Sequence, residues 1–132
     1  MVLMALSSRN SEVAFRDQFS TFLIEQKGYP KGLITKEMPL SFLEQAKGHR
    51  RDRRVDLLVF ATGSASPLLL IECKKNIPQQ KAVHQLLGYN LHVRAPWCAL
   101  VWPEGFALLD LGGHKVAGLV TEFPEYKSFL NF

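Results

Sequence analysis

The stretch Leu68-Leu69-Leu70-Ile71-Glu72-Cys73-Lys74 decides how this chain is read. An aliphatic run is followed at once by an acid and an amine at alternate positions. Side chains two apart on a strand share a face. Glu72 and Lys74 are therefore neighbours, and Cys73 turns the other way, into packing. Upstream, Val55 to Phe60 is a second apolar run and carries Asp56. The residues between, Ala61-Thr62-Gly63-Ser64-Ala65-Ser66-Pro67, have turn composition, so the two runs predict an antiparallel hairpin. Both runs are continuously apolar, which predicts a sheet covered on both faces. Asp56, Glu72 and Lys74 all lie away from the turn. Adjacent strands run ~4.8 Å apart, so two carboxylates and an ammonium can meet there.

Working outward, Ser8 to Lys27 reads as an amphipathic helix. Phe15, Phe19, Phe22 and Leu23 fall on one face at helical spacing. Ser11 is placed to cap its start and Gly28 to stop it in a left-handed turn. Tyr29-Pro30 then forces extended chain. Leu33 to Glu37 and Leu40 to Leu43 are short strand candidates, with Pro39 limiting pairing between them. Residues 45–54 are polar and basic. After the Glu-x-Lys strand, Gln79 to Val93 reads as a second helix, with Ala82, Leu86, Tyr89 and Val93 at helical spacing and Ala95-Pro96 as its stop. Cys98 to Trp102, Phe106 to Leu111 and Lys115 to Leu119 read as strands. The aromatic tail Phe123 to Phe132 is expected to pack on the body. Trp97 and Trp102 border a strand and are expected in the core.

The bulk numbers fit this picture. The 132 residues suffice for one compact domain spanning 1–132, and for no second one. Hydrophobic residues at 47% and charged residues at 21% describe a globular protein, not a disordered one. No apolar run is long enough to cross a bilayer, and the first ten residues lack a secretory pattern; the expected location is the cytoplasm, with no membrane partner. Cys73 and Cys98 each sit in an apolar run and read as core residues, not as a disulfide framework or a zinc site. A net charge of +4 is a mild bias toward anionic partners.

Two hard carboxylates suit Mg²⁺, which takes few protein ligands and keeps several waters. Asp56 and Glu72 are the candidate ligands, and Mn²⁺ is the expected substitute. Lys74 is placed to orient a water or to stabilise charge developing on a phosphate. A chance D…ExK match is frequent in a chain of this size, and a salt bridge at a strand end explains the same residues. The order of elements tips the balance: amphipathic helix, strand, Asp-bearing strand, Glu-x-Lys strand, helix, strand.

Those elements, in the segments EVAFRDQFSTFLIEQKGYPKGLITKE, RRVDLLVF, PLLLIECKK and QLLGYN, resemble the nuclease domain at the N-terminus of type I restriction enzyme R subunits, a branch of the PD-(D/E)XK superfamily. The resemblance runs from Glu12 to Trp102. It implies an α/β restriction-endonuclease-like fold, a central mixed β-sheet flanked by helices. It implies divalent-metal-dependent endonucleolytic cleavage of DNA, with catalytic roles for Asp56, Glu72 and Lys74. It also brings in Gln85 and Tyr89, matching a Gln-x-x-x-Tyr signature whose members share a helix face, although Tyr89 fits the core equally well. Glu12 and Arg16 match an acid and an arginine near the start of the first helix, Glu12 as a further acid at the metal; on the residues alone they are an i, i+4 pair. Glu37 matches an acid at the end of the first strand.

The superfamily's proline is replaced by Val55. The basic run containing Arg50, Arg51, Arg53 and Arg54 leads directly into Asp56 and is read as a phosphate-contacting loop, extended by Lys75 and Lys81. His49, His84, His92 and His114 are scattered and read as surface or half-buried residues. No GxxxxGK[ST] stretch is present, so no nucleotide cofactor is expected. The expectation is a stand-alone nuclease domain, as a homodimer or with a partner subunit, on duplex or branched DNA. The alternatives are a catalytically silent nucleic-acid-binding or assembly module that retains the fold, and an interaction subunit for a separate motor or methylase protein.

Overall fold

The computed structural model describes residues 11–40, 54–110 and 113–130. A first helix, α1 (Ser11–Gln26), precedes a strand β1 (Ile34–Pro39) and the hairpin β2 (Arg54–Phe60) and β3 (Pro67–Cys73). Helix α2 (Gln80–Val93) crosses to β4 (Trp97–Val101), followed by β5 (Gly105–Asp110), β6 (Lys115–Leu119) and a terminal turn of helix, α3 (Tyr126–Phe129). The strands form one six-stranded sheet in sequence order. Every neighbour pair is antiparallel except β3 and β4. That parallel pair needs a crossover, and α2 supplies it. The expected mixed sheet flanked by helices is the fold observed.

Helices cover both sides, as the unbroken apolar runs require. Phe15, Phe19, Phe22 and Leu23 of α1 are buried with Leu57, Val59, Leu69 and Ile71. Burying each such side chain contributes roughly 1.5–3 kcal/mol. Leu86 and Val93 of α2 pack with Leu58, Leu70, Cys98 and Leu100 on the other side. Both cysteines are free and buried, and burial pushes the Cys98 thiol up to about 12.

Gly28 closes α1 with φ +73, in the left-handed turn expected of it. Residues 8–10, where the helix was expected to start, lie outside the described residues, as does the side chain of Ser11 with its expected capping role. The first strand candidate is present as Ile34–Pro39, two residues longer than expected at its end; of the second, Leu40 follows β1 in a turn and residues 41–43 lie outside the described part. Helix α2 ends at Val93, as expected ahead of Ala95-Pro96, and starts at Gln80, one residue after the expected Gln79. Arg94 takes φ 61, and the buried Asn90 side chain donates to the Ala95 carbonyl at 2.8 Å and accepts its N–H at 2.9 Å. The C-terminal segment packs as expected through Phe123, Tyr126 and Phe129. The Tyr126 hydroxyl donates to the Phe60 carbonyl and accepts the Thr62 N–H, both at 2.9 Å, so it locks the β2–β3 turn.

Candidate functional site

The sheet splits where the acids lie. The β2–β3 ladder runs inward from the turn to Leu57 opposite Ile71 and goes no further. Beyond that point β2 still pairs with β1 as far as Arg54 opposite Pro39. β3 likewise still pairs with β4 as far as Cys73 opposite Val101. The two central strands therefore diverge, each held by its outer neighbour. A fork of this kind strands backbone donors in a half-buried place, and an unmet donor there is costly. Side chains of the fork meet them. The Asp56 N–H donates to Glu72 Oε1 at 3.1 Å, and the Cys73 N–H donates to Asp56 Oδ2 at 2.8 Å. The packing pattern breaks at the same point: Leu57 packs on the α1 side, and Val55 packs with the α2-side cluster.

Asp56 and Glu72 are both partly buried. Burial, and next the neighbouring Asp56 charge, push Glu72 up to about 8. Asp56 is also raised, first by burial and with a contribution from Glu12, against the pull of the Cys73 N–H, Arg16 and Lys74. Lys74 follows the strand end, its N–H donating to the Val101 carbonyl at 2.8 Å. Its charge favours both carboxylates. Glu12, in the first turn of α1, accepts the Lys75 N–H on Oε2 at 3.3 Å. The structure thus brings Asp56, Glu72, Lys74 and Glu12 into one electrostatic group. A cleft of about 250 Å³ opens beside them, lined by Glu12, Lys74, Lys75 and Lys81 among others. Among the described residues, no group of three or more His, Cys, Asp or Glu side chains is arranged to hold a metal ion.

Arg16 is buried on α1, forming an ion pair with Glu37 and bonding Asp17 at 2.9 Å. Burial works against its charge, and these pairs outweigh it, holding the guanidinium above its usual pKa. Glu37 carries φ 54, rare for a residue with a side chain. Its carbonyl accepts Arg54 Nη1 at 3.0 Å. By register Glu37 stands across from Asp56. Spacing alone reads Glu12 and Arg16 as an i, i+4 pair, whereas Arg16 reaches across to β1.

The other expected site residues are dispersed. Gln85 is exposed on α2 and is not part of the cleft lining. Tyr89 is half-buried against the α2-side cluster, the packing role that was its alternative. Arg54 and Lys75 are exposed. Arg50, Arg51, Arg53 and His49 lie outside the described residues. His84 and His114 are exposed and His92 is half-buried.

Among the described residues no helix is long and apolar enough to cross a membrane. No curated protein matches the sequence. A solved fragment assigned to an HsdR subunit of a type I restriction enzyme from Vibrio vulnificus YJ016 matches with a TM-score of 0.70 at 20% identity, over 96% of this chain. The chain spans 25% of the length of that one, and at such identity the likeness concerns the fold. A family model described as type I restriction enzyme R protein N terminus matches residues 11–109, three quarters of the chain, and the chain belongs to that family.

Proposed function

We propose that this domain is a divalent-metal-dependent DNA endonuclease of the PD-(D/E)XK type. The observation that carries the reading is the forked sheet end. It gathers Asp56, Glu72 and Lys74 beside a lysine-lined cleft. The two acids suit a hard cation: each spends a carboxylate oxygen on a backbone N–H, keeps the other, and sits where burial and a like charge disfavour ionisation. Mg²⁺ or Mn²⁺ held by Asp56 and Glu72 would supply an activated water and neutralise phosphate charge.

The chain's own residues do the rest. The backbone N–H groups of Asp56 and Cys73 fix the carboxylate orientations. Lys74 presents an ammonium on the cleft side, where a phosphodiester oxygen gains charge during hydrolysis. Lys75, Lys81 and Arg54, with the basic run before β2, would draw the DNA backbone to the cleft. Glu12 lines the cleft and adds an acid near the pair.

A silent DNA-binding or assembly module is the second reading. It is favoured by the absence, among the described residues, of a three-ligand group. Incubating the chain with plasmid and branched DNA in Mg²⁺ or Mn²⁺, beside Lys74→Ala, separates the two. Metal-dependent cleavage that vanishes in the variant supports the nuclease. Salt-sensitive binding without cleavage on any substrate supports the module.

A further inference from the structure

A second cleft, of about 170 Å³, lies on the far side of the loop that follows Lys75, and no role given above uses it. Its walls include Ile77, Gln79, Gln80, Trp102 and Lys115. Ile77, Pro78 and Gln79 belong to both clefts and so form the ridge between them. Ile77 is 72% exposed, a large apolar side chain left standing in water beside a cationic cleft. Trp102 is half-buried: it packs against the α2-side cluster, as the sequence predicts, and also lines this cleft. Its ring lies close over Gly105, where a Cβ would stand 2.9 Å from Trp102 Cζ2, and packing on the α2-side cluster restrains it. The indole is therefore a fixed aromatic surface in a small cleft, with two exposed carboxamides and an ammonium around it.

Each part has a matching part in a nucleotide strand. A planar base stacks on a fixed indole, and such stacking is sequence-tolerant because every base has a π face. Carboxamides of Gln79 and Gln80 both donate and accept, which suits base edges. Lys115 suits the backbone phosphate on the outer side, as Lys74, Lys75 and Lys81 do in the first cleft. The volume admits one heterocycle. Resting on the DNA-cleavage reading above, we infer that this cleft receives a base splayed out of the strand beside the phosphate at the first cleft, with Ile77 as the wedge that separates it from its neighbour. The substrate class that follows is single-stranded, frayed or branched DNA in preference to intact duplex, because unstacking a paired base costs energy that a free strand does not spend.

The test reads Trp102 directly. Trp97 is the chain's other tryptophan and meets Phe129 edge to face against the α1-side core, so Trp97→Phe leaves Trp102 as the single reporter. In EDTA, where no cleavage intervenes, this variant is titrated with a short single-stranded DNA oligonucleotide, followed by indole fluorescence. Anisotropy of a labelled copy gives the affinity. The expected result is quenching that is lost when one position of the oligonucleotide is made abasic, with affinity falling on the order of tenfold for that change. Gln80→Ala, an exposed position that lines the second cleft and not the first, is expected to weaken single-strand binding several-fold and duplex binding less than twofold. Trp102→Phe should retain what Trp102→Leu loses. Binding by anisotropy without quenching, or quenching indifferent to every abasic position, overturns the base pocket and leaves the DNA reading standing. No binding to any DNA removes both.

Discussion

The backbone N–H of Asp56 donates to Oε1 of Glu72 at 3.1 Å, across strands that have already ceased to pair. The bond ties the two acids into a forced closeness, and Glu72 rises to about 8, by burial first and then the Asp56 charge. An acid raised on folding stabilises the fold fully below its unfolded pKa, and that contribution is lost as pH rises through the folded value. In EDTA the melting midpoint of the wild type should therefore fall between about pH 4.5 and about pH 8. Glu72→Gln keeps an acceptor for the Asp56 N–H and removes the charge. It should flatten that part of the profile and melt higher than wild type at pH 8, on the order of a few degrees. Identical profiles for the two proteins, measured by circular dichroism, would sink this account.

Metal should reverse the same penalty. If Asp56 and Glu72 hold a divalent cation, Mg²⁺ or Mn²⁺ raises the melting midpoint at pH 8, by mass action on the native state. Asp56→Asn should abolish the increase. Lys74→Ala should keep it, because the ammonium is no ligand, and should lose at least about a hundredfold in cleavage rate. Scanning calorimetry with and without metal reads the first effect and a plasmid assay the second. A metal-induced increase that survives in Asp56→Asn would place the cation elsewhere.

Much of this was legible in the sequence, and for physical reasons. A hairpin of two strongly apolar runs, covered on both faces, follows from Val55–Phe60 and Leu68–Cys73. Alternation along the run predicted Glu72 and Lys74 as neighbours, although β3 ends at Cys73 and Lys74 follows it. The fork was not legible: that the β2–β3 ladder stops at Leu57 depends on outer strands pulling the two apart, a tertiary effect with no local signature. Nor was the Arg16–Glu37 pair, which joins residues far apart in sequence. The stop of α2 at Val93 was read correctly, but not its means: Asn90 makes the turn through its side chain, and a non-glycine residue, Arg94, takes the left-handed position. Trp102 was expected in the core and packs against the α2-side cluster; that its ring also lines a cleft, close over the bare Cα of Gly105, was not legible.

Arg16 is the cation on which the β1 end depends. It is 7% exposed and bonds both Glu37 and Asp17. Glu37 holds φ 54, a conformation that costs of order 1 kcal/mol or more for such a residue. Arg16→Ala should destabilise the domain by about 2 kcal/mol, because charge-assisted bonds are lost while their half-exposed acceptors regain water. Glu37→Gly should cost less than Glu37→Ala, since glycine takes positive φ freely. Urea denaturation orders the variants. Equal losses for Glu37→Gly and Glu37→Ala would mean that the backbone there carries no strain.

The last prediction concerns Gly105, the first residue of β5. A Cβ at this position would meet Trp102 Cζ2 at 2.9 Å and the Gly118 carbonyl oxygen at 3.0 Å. The carbonyl belongs to the neighbouring strand β6 and cannot yield without disturbing the ladder. The indole is the softer neighbour, so the strain should move Trp102 outward into its cleft. Gly105→Ala should therefore destabilise by roughly 1–3 kcal/mol, the usual cost of overpacking. It should also change the emission of Trp102 when Trp97→Phe isolates that signal, since a displaced indole meets more water. A Gly105→Ala domain with wild-type stability and unchanged Trp102 emission would show that the ring and the β5 backbone are not in contact. Loss of stability with unchanged emission would put the strain on the Gly118 carbonyl, and so on the β5–β6 pairing.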